Sequence, residues 1–256
     1  MIQKKYISTI LFLTLITFGC GKQDSENTNR SGTISQTKTP IKLNPLNLGE
    51  AAPFAVLAYA SISSNSNSII NGKVGLKPGT HDMINLDPSE VRGGAIDIMG
   101  SDDDTIPLNL LSIAKVDMVG AYTKAASLIP DSDKIGIFEG IINGKKLEPG
   151  VYKWNQGLSI TEDFTLSGKS NDVWIFKIPG HLKISSGVHM ILNGGASAKN
   201  VFWQVAGSAI IESNSEIGGT IIAQQFIDLK DHVILTGRAF AKNGYVNLSH
   251  TTINIP

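Results

Sequence analysis

Downstream of Pro149-Gly150 the chain settles into a degenerate repeat, and this repeat limits its fold more than any other feature. Short apolar runs recur in threes: 173–178, 182–186 and 188–192, then 201–205, 209–213 and 216–219. Two further cycles follow, 221–225, 227–231 and 233–236, then 238–242, 246–250 and 252–255. Gly, Asn and Ser punctuate the runs, so each cycle reads as three short strands joined by turns, one coil of a solenoid. Three faces imply a triangular β-helix. The first interval is longer than the others, and its extra residues fit a corner loop at 194–200.

Side-chain alternation tests this arrangement, because successive residues of a strand point to opposite sides. On the second face Leu182/Ile184, Ala209/Ile211, Ile227/Leu229 and Val246/Leu248 all point inward. That leaves Lys183, Ile210, Asp228 and Asn247 in one outward column and Ser185, Glu212, Lys230 and Ser249 in another. On the first face Trp174, Phe176, Val201 and Trp203 point inward, yet Val173, Ile175 and Phe202 on the opposite side are apolar too. Something must cover that face. The segment 108–129 has the means, since Leu111, Ala114, Met118, Ala121, Tyr122 and Ala125 fall three and four apart on one helical stripe. Asp102, Asp103, Asp104 and Thr105 supply charge and capping oxygens at its start, Pro107 suits the first turn and Pro130 ends it. The acidic triplet therefore has a structural role, and a calcium site is the weaker alternative because the oxygen ligands are not spaced as in a known loop. On the third face the outward positions are expected at His189, Gly218, Ile234 and Asn254.

The N-terminus has a different character. Lys4 and Lys5 precede an apolar run over 7–18, too short to span a bilayer but suited to a signal peptide. The run ends in Thr17-Phe18-Gly19-Cys20, which resembles a bacterial lipoprotein box. Cys20 is the only cysteine of the 256 residues, so its lipidation leaves no thiol for a disulfide, a metal or a nucleophile. An ordinary secretory signal with an incidental Cys20 is the competing reading. The expected organisation is a leader at 1–19, a lipidated Cys20 opening a polar tether over 20–45, and one folded domain over 46–256. Such a product is exported and anchored by lipid in the cell envelope, at a bacterial outer membrane or cell surface.

Several stretches, in order, resemble the microbial ice-binding protein family. They are Leu48-Gly49-Glu50-Ala51-Ala52-Pro53-Phe54-Ala55-Val56-Leu57-Ala58, Asn71-Gly72-Lys73-Val74-Gly75-Leu76-Lys77-Pro78-Gly79-Thr80 and Leu147-Glu148-Pro149-Gly150-Val151-Tyr152. Asn200-Val201-Phe202-Trp203-Gln204-Val205 and Gly237-Arg238-Ala239-Phe240-Ala241-Lys242-Asn243-Gly244 complete the set. The resemblance implies a mainly β chain forming a discontinuous, right-handed parallel β-helix, with one long α-helix packed along one face. It also implies that N-terminal strands complete coils begun by the C-terminal part, and that a flat face adsorbs to ice.

The contact candidates are Ser61, Ser63, Ser64, Asn65, Ser66, Asn67 and Ser68, with Thr236, Thr251 and Thr252 as additions. A polar solvated turn is the competing reading of the serine-rich stretch. The charges at Lys183, Glu212, Asp228 and Lys230 depart from the Thr-rich columns of active family members. They make a surface adhesin, binding an extracellular protein or glycan, the rival function. Lys plus Arg and Asp plus Glu both total 22, so no field of one sign would recruit nucleic acid. No enzyme is expected: His181, His189, His232 and His250 are scattered among outward or turn positions, and no metal or cofactor motif is present. Asp231-His232 and Ser249-His250 sit in neighbouring coils, where a nucleophile-base pair would need hydrogen-bond reach and an orienting third group, so they read as ordinary surface residues.

Overall fold

The structure is a computed structural model that describes residues 43–65, 67–98 and 110–256. The expected leader, Cys20, the expected tether as far as residue 42, Ser66, and residues 102–105 and Pro107, expected to cap the helix, lie outside the described residues.

Three stacks of parallel strands form the body. The first face orders Gly150–Lys153, Trp174–Ile178, Val201–Val205, the second half of Glu216–Ala223, the second half of Ile234–Ala241, Phe54–Ala58, Lys73–Leu76 and Ile96–Ile98. The second face orders Leu158–Ile160, Leu182–Ile184, Ala209–Ile211, Ile227–Leu229, Val246–Leu248, Ile62–Ser64 and Ile84–Asn85. The inward and outward positions expected on this face are the ones observed, with Leu182, Ile184, Ala209, Ile211, Ile227, Leu229, Val246 and Leu248 all buried. Along both faces the N-terminal strands follow the C-terminal ones. The chain thus begins its coils at the end of the stack where it finishes, which makes the β-helix discontinuous in sequence.

The third face is divided. Lys146–Leu147, Phe164–Ser167 and Met190–Asn193 form one small sheet. The first halves of Glu216–Ala223 and Ile234–Ala241, then Thr252–Asn254, Ile69–Asn71 and Val91–Arg92, form the other part. Between the two parts runs a single bridge, His189 to Glu216. Residues 216–219 and 221–225, expected as separate strands, are one strand that bends from the third face onto the first, and 233–236 and 238–242 behave likewise. The bend occurs at Gly219, whose φ of +109° is costly for any residue with a Cβ, and beneath it Gly237 stacks so closely that a Cβ would lie 1.8 Å from the Gly219 carbonyl oxygen.

Two apolar layers follow from this geometry. Inside the coils Tyr152, Phe176 and Trp203 stack in succession, with ring centroids 5.3 and 4.3 Å apart. Each tryptophan indole donates to a backbone carbonyl: Trp154 to Ile137, Trp174 to Leu147 and Trp203 to Gly218, at 3.0 to 3.1 Å. Outside the first face, the helix Leu110–Ser127 lays Leu111, Ala114, Met118, Ala121 and Ala125 over Phe54, Leu57, Val151, Val173, Ile175, Phe202, Ile222 and Phe240. The double-sided apolar strands are therefore explained by a helical cover. Leu46 and Leu48 belong to the same layer.

Candidate ice-facing surface at the seam

The N-terminal strands meet the C-terminal coil along a seam that runs through all three faces, and the sequence candidates fall around it. On the second face Ser63 pairs with Asn247 and donates to its side-chain oxygen at 2.6 Å. Two residues further on, Asn65 donates to Ser249 at 3.3 Å. Ser61 is half-buried at the start of this strand, and Asn67 is exposed at the following corner with φ +57°.

Three candidates turn inward instead. Ser64, Ser68 and Thr251 are 7%, 2% and 0% exposed, so the seam surface does not include them. They line the inside of the corner with Glu90, which is also buried. Ser64 donates to Glu90 at 2.8 Å and shares a 2.9 Å hydrogen bond with Ser68, whose backbone N–H donates to the same carboxylate oxygen at 2.6 Å. The second oxygen of Glu90 accepts from the Asp87 N–H at 3.1 Å, and the Thr251 N–H donates to Ser68 at 3.1 Å. Small hydroxyl side chains can be buried in this corner because the Glu90 carboxylate, one another and nearby backbone groups supply their partners.

Thr236 and Thr252 lie on the third face, where register brings them together with residues that the sequence did not single out. Thr236 stands beside Asn254, and Asn254 beside Asn71; two residues along, Ile234 stands beside Thr252, and Thr252 beside Ile69. Leu235, Ile253 and Ile70 between these columns are fully buried, which fixes the others as outward-facing. Asn71 donates to the Asn254 side-chain oxygen at 2.6 Å, so one column is held in a fixed orientation. Neighbouring strands are about 4.8 Å apart, and the columns lie about 7 Å from each other. The expected outward set of His189, Gly218, Ile234 and Asn254 mixed two columns: Gly218 shares one with Thr236 and Asn254, whereas Ile234 aligns with Glu216 and Thr252. Gly218 is itself buried, with Met190 and Ala198 over the place where a side chain would stand. Aligning the last two cycles at the 18-residue interval from Ile234 to Thr252 would have revealed the Thr236/Asn254 pair.

Charge is distributed unevenly around this patch. Its six residues Ile69, Asn71, Ile234, Thr236, Thr252 and Asn254 carry none, while Glu216 and Arg92 stand at its two ends. On the second face Lys183 and Asp228 interrupt the outward column. Asp228 accepts a hydrogen bond from Lys230 at 2.6 Å, and this contact holds the Lys230 pKa above the ordinary lysine value.

The histidines mark corners. His232 and His250, at φ +60° and +46°, stack with ring centroids 5.5 Å apart in the same left-handed turn position as Asn214 and Asn67. Asp231 accepts from the Ser249 hydroxyl and lies 3.1 Å from His250 Nδ1, and these hydrogen bonds, Ser249 first, hold its carboxyl below the usual range. Serine and histidine here share an aspartate; a nucleophilic relay would require them to contact each other. Among the described residues no group of three His, Cys, Asp or Glu side chains could hold a metal ion.

Comparison with known proteins places this architecture. The model of a family described as ice-binding-like matches residues 56–254. An ice-binding protein of Flavobacterium frigoris (strain PS1) is 38% identical over 235 residues, covering 91% of this chain and 84% of the relative. An ice-binding protein of a Colwellia species is 35% identical over 212 residues, covering 82% of this chain and 83% of the relative. The crystal structure of a glycosylated ice-binding protein from an Arctic yeast superimposes with a TM-score of 0.76 at 31% identity, over 83% of this chain and 94% of that one. A domain of Shewanella frigidimarina ice-binding protein 1 gives a TM-score of 0.74 at 26% identity, over 84% of this chain and 99% of that one. A stretch of this extent is thus nearly the whole of a solved, folded chain.

Proposed function

This chain belongs to the ice-binding-like family, and from that membership we propose that it binds ice, through the uncharged third-face patch at the seam, and does no catalysis. The observation that carries the choice of patch is the alignment of Thr236, Asn254 and Asn71 beside Ile234, Thr252 and Ile69. A surface that adsorbs to ice must let the lattice set the orientation of its hydration water. Charged groups hold water too strongly for that, whereas hydroxyls, amides and methyl groups on a regular spacing permit it.

The second face offers another adsorption surface, favoured by its being the longest uninterrupted sheet outside the helix-covered face. Its uncharged end is Asn247, Ser63 and Asn85. Its charged part would serve an adhesin, but Asp228 and Lys230 already satisfy each other at 2.6 Å, leaving Lys183 and Glu212 for a protein or glycan partner. This internal pairing weighs against adhesion. Export and lipid anchoring through Cys20 complete the proposal, placing the domain outside the cell where ice forms. A diacylated N-terminal cysteine detected by mass spectrometry would support the anchor, and an unmodified Cys20 would remove it.

The direct test uses residues 43–256 carrying a fluorescent label in a slowly growing ice front. Incorporation into the ice and inhibition of recrystallisation are expected. Full exclusion into the liquid would sink the ice-binding reading.

A further inference from the structure

Beside the helix, at the corner where the first face turns into the second, a cavity of about 460 Å³ is lined by Tyr59, Lys77, Pro78, Ser112, Lys115, Val116, Val119, Lys242 and Asn243. We propose that this cavity is a binding site for a small organic anion, whose carboxylate would sit between the ammonium groups of Lys115 and Lys242 and whose body would lie against Tyr59, Val116 and Val119.

The first argument is that Lys115 and Lys242 hold neutral partners among the described residues. Lys115 donates to the Ala58 carbonyl oxygen at 3.2 Å and stands 5.8 Å from the centroid of the Tyr59 ring. Lys242 donates to the Gln224 side-chain oxygen at 3.2 Å and stands 5.4 Å from the Tyr122 ring. All four partners are neutral, and among the described residues that line the cavity none is acidic. Lys242 acts on Lys115 as a neighbouring positive charge, and two cations so placed form a recess in which an anion would gain from both.

The second argument is that Lys115 is held at a cost. Burial, and then the neighbouring charge of Lys242, push its pKa down to about 8. An anion entering between them would offset both causes. Lys77, which donates to Ser112 at 2.6 Å, is the third cation of the lining, and Tyr59 is its remaining titratable group. The third argument is shape: the exposed faces of Tyr59 and Val116 give the recess an apolar side, so charge alone does not fill it.

The test titrates residues 43–256 with benzoate, inorganic phosphate and neutral benzamide, followed by NMR shifts of Tyr59 and Val119. Benzoate is expected to saturate with a dissociation constant of roughly 1 mM near neutral pH, with phosphate weaker and benzamide weaker still. Lys115→Met and Lys242→Met should each weaken benzoate about tenfold or more, while Lys183→Met, far along the second face, should leave it unchanged. Between about pH 7 and pH 9.5 the parent should lose affinity as Lys115 deprotonates, and Lys115→Arg should retain it. Equal binding of benzoate and benzamide, or full affinity in both methionine variants, would overturn the proposal. So would the absence of saturation at about 10 mM benzoate. Phosphate binding as tight as benzoate would overturn the part assigned to the apolar side.

Discussion

Replacing Gly237 by alanine should be among the most damaging single-methyl additions in this protein, and the structure gives the size of the effect. The added Cβ would lie 1.8 Å from the Gly219 carbonyl oxygen, 2.6 Å from its carbonyl carbon and 3.0 Å from its nitrogen. Ordinary contact between such atoms begins near 3.5 Å, so the two strands must separate locally by about 1.5 Å. Strands in a stack are about 4.8 Å apart and their hydrogen bonds fail beyond about 3.2 Å, so this shift disrupts one or two rungs of the ladder. Overpacking costs roughly 1–3 kcal/mol and each lost rung about 1 kcal/mol, giving a destabilisation of about 2–5 kcal/mol. For a domain of about 200 residues that corresponds to a fall in Tm of about 4–20 °C. Urea unfolding of residues 43–256 provides the measurement, with Gly120→Ala as the control. Gly120 is exposed on the helix with nothing within 4 Å of the added methyl, so there alanine should stabilise by about 1 kcal/mol. If Gly237→Ala lies within about 1 kcal/mol of the parent, the corner is not stacked as described and the continuous bend of the third face into the first is wrong.

Two further outcomes are expected. Glu90→Ala removes the acceptor of Ser64, the Ser68 N–H and the Asp87 N–H, and should cost about 2–4 kcal/mol in urea unfolding, while Glu90→Gln, which keeps one acceptor oxygen, should recover part of it. A loss below about 0.5 kcal/mol for Glu90→Ala would deny the buried corner network its role at the seam. Lys115, with a folded pKa of about 8 against an ordinary 10.5, binds its proton less well in the folded chain than in the unfolded one. The penalty is complete below about pH 8 and is relieved as pH rises towards 10.5, so stability should increase over about pH 8–10, by no more than about 3 kcal/mol, and the increase should vanish in Lys115→Met. Above about pH 10 the opposing effect of Tyr152, whose phenol pKa is raised chiefly by burial, should reverse the trend. Stability that is flat over about pH 8–10 in the parent would contradict the burial of that ammonium.

Much of the fold was legible because a β-helix writes its cross-section into the sequence. Strict alternation at Leu182/Ile184 through Val246/Leu248 revealed the second face, and apolar residues on both sides of Ile175 and Phe202 demanded a cover that the stripe from Leu111 to Ala125 could supply. The stacking of Phe54–Ala58 on the strand ending at Ala241 could not be read from local pattern, since nothing local says which distant coil end a strand will join. It entered only through the family resemblance. The third-face register failed for a related reason: Gly219 and Gly237 turn a strand without breaking it, so gaps between apolar runs misplaced the column positions. Ser64, Ser68 and Thr251 were misread as surface because hydroxyl residues suit both solvent and a satisfied corner. Asn71 and Asn254, 183 residues apart, became neighbours only when folding put them 2.6 Å from each other.

The central claim is that ice meets the third face at the seam. Its most direct test compares Thr236→Lys/Thr252→Lys with Ser63→Lys in the labelled-protein ice front, after circular dichroism has shown all three chains to be folded. The third-face double variant should remain in the liquid and lose recrystallisation inhibition, while Ser63→Lys should enter the ice like the parent. Incorporation of the double variant together with exclusion of Ser63→Lys would move the ice-binding surface to the second face and contradict the account.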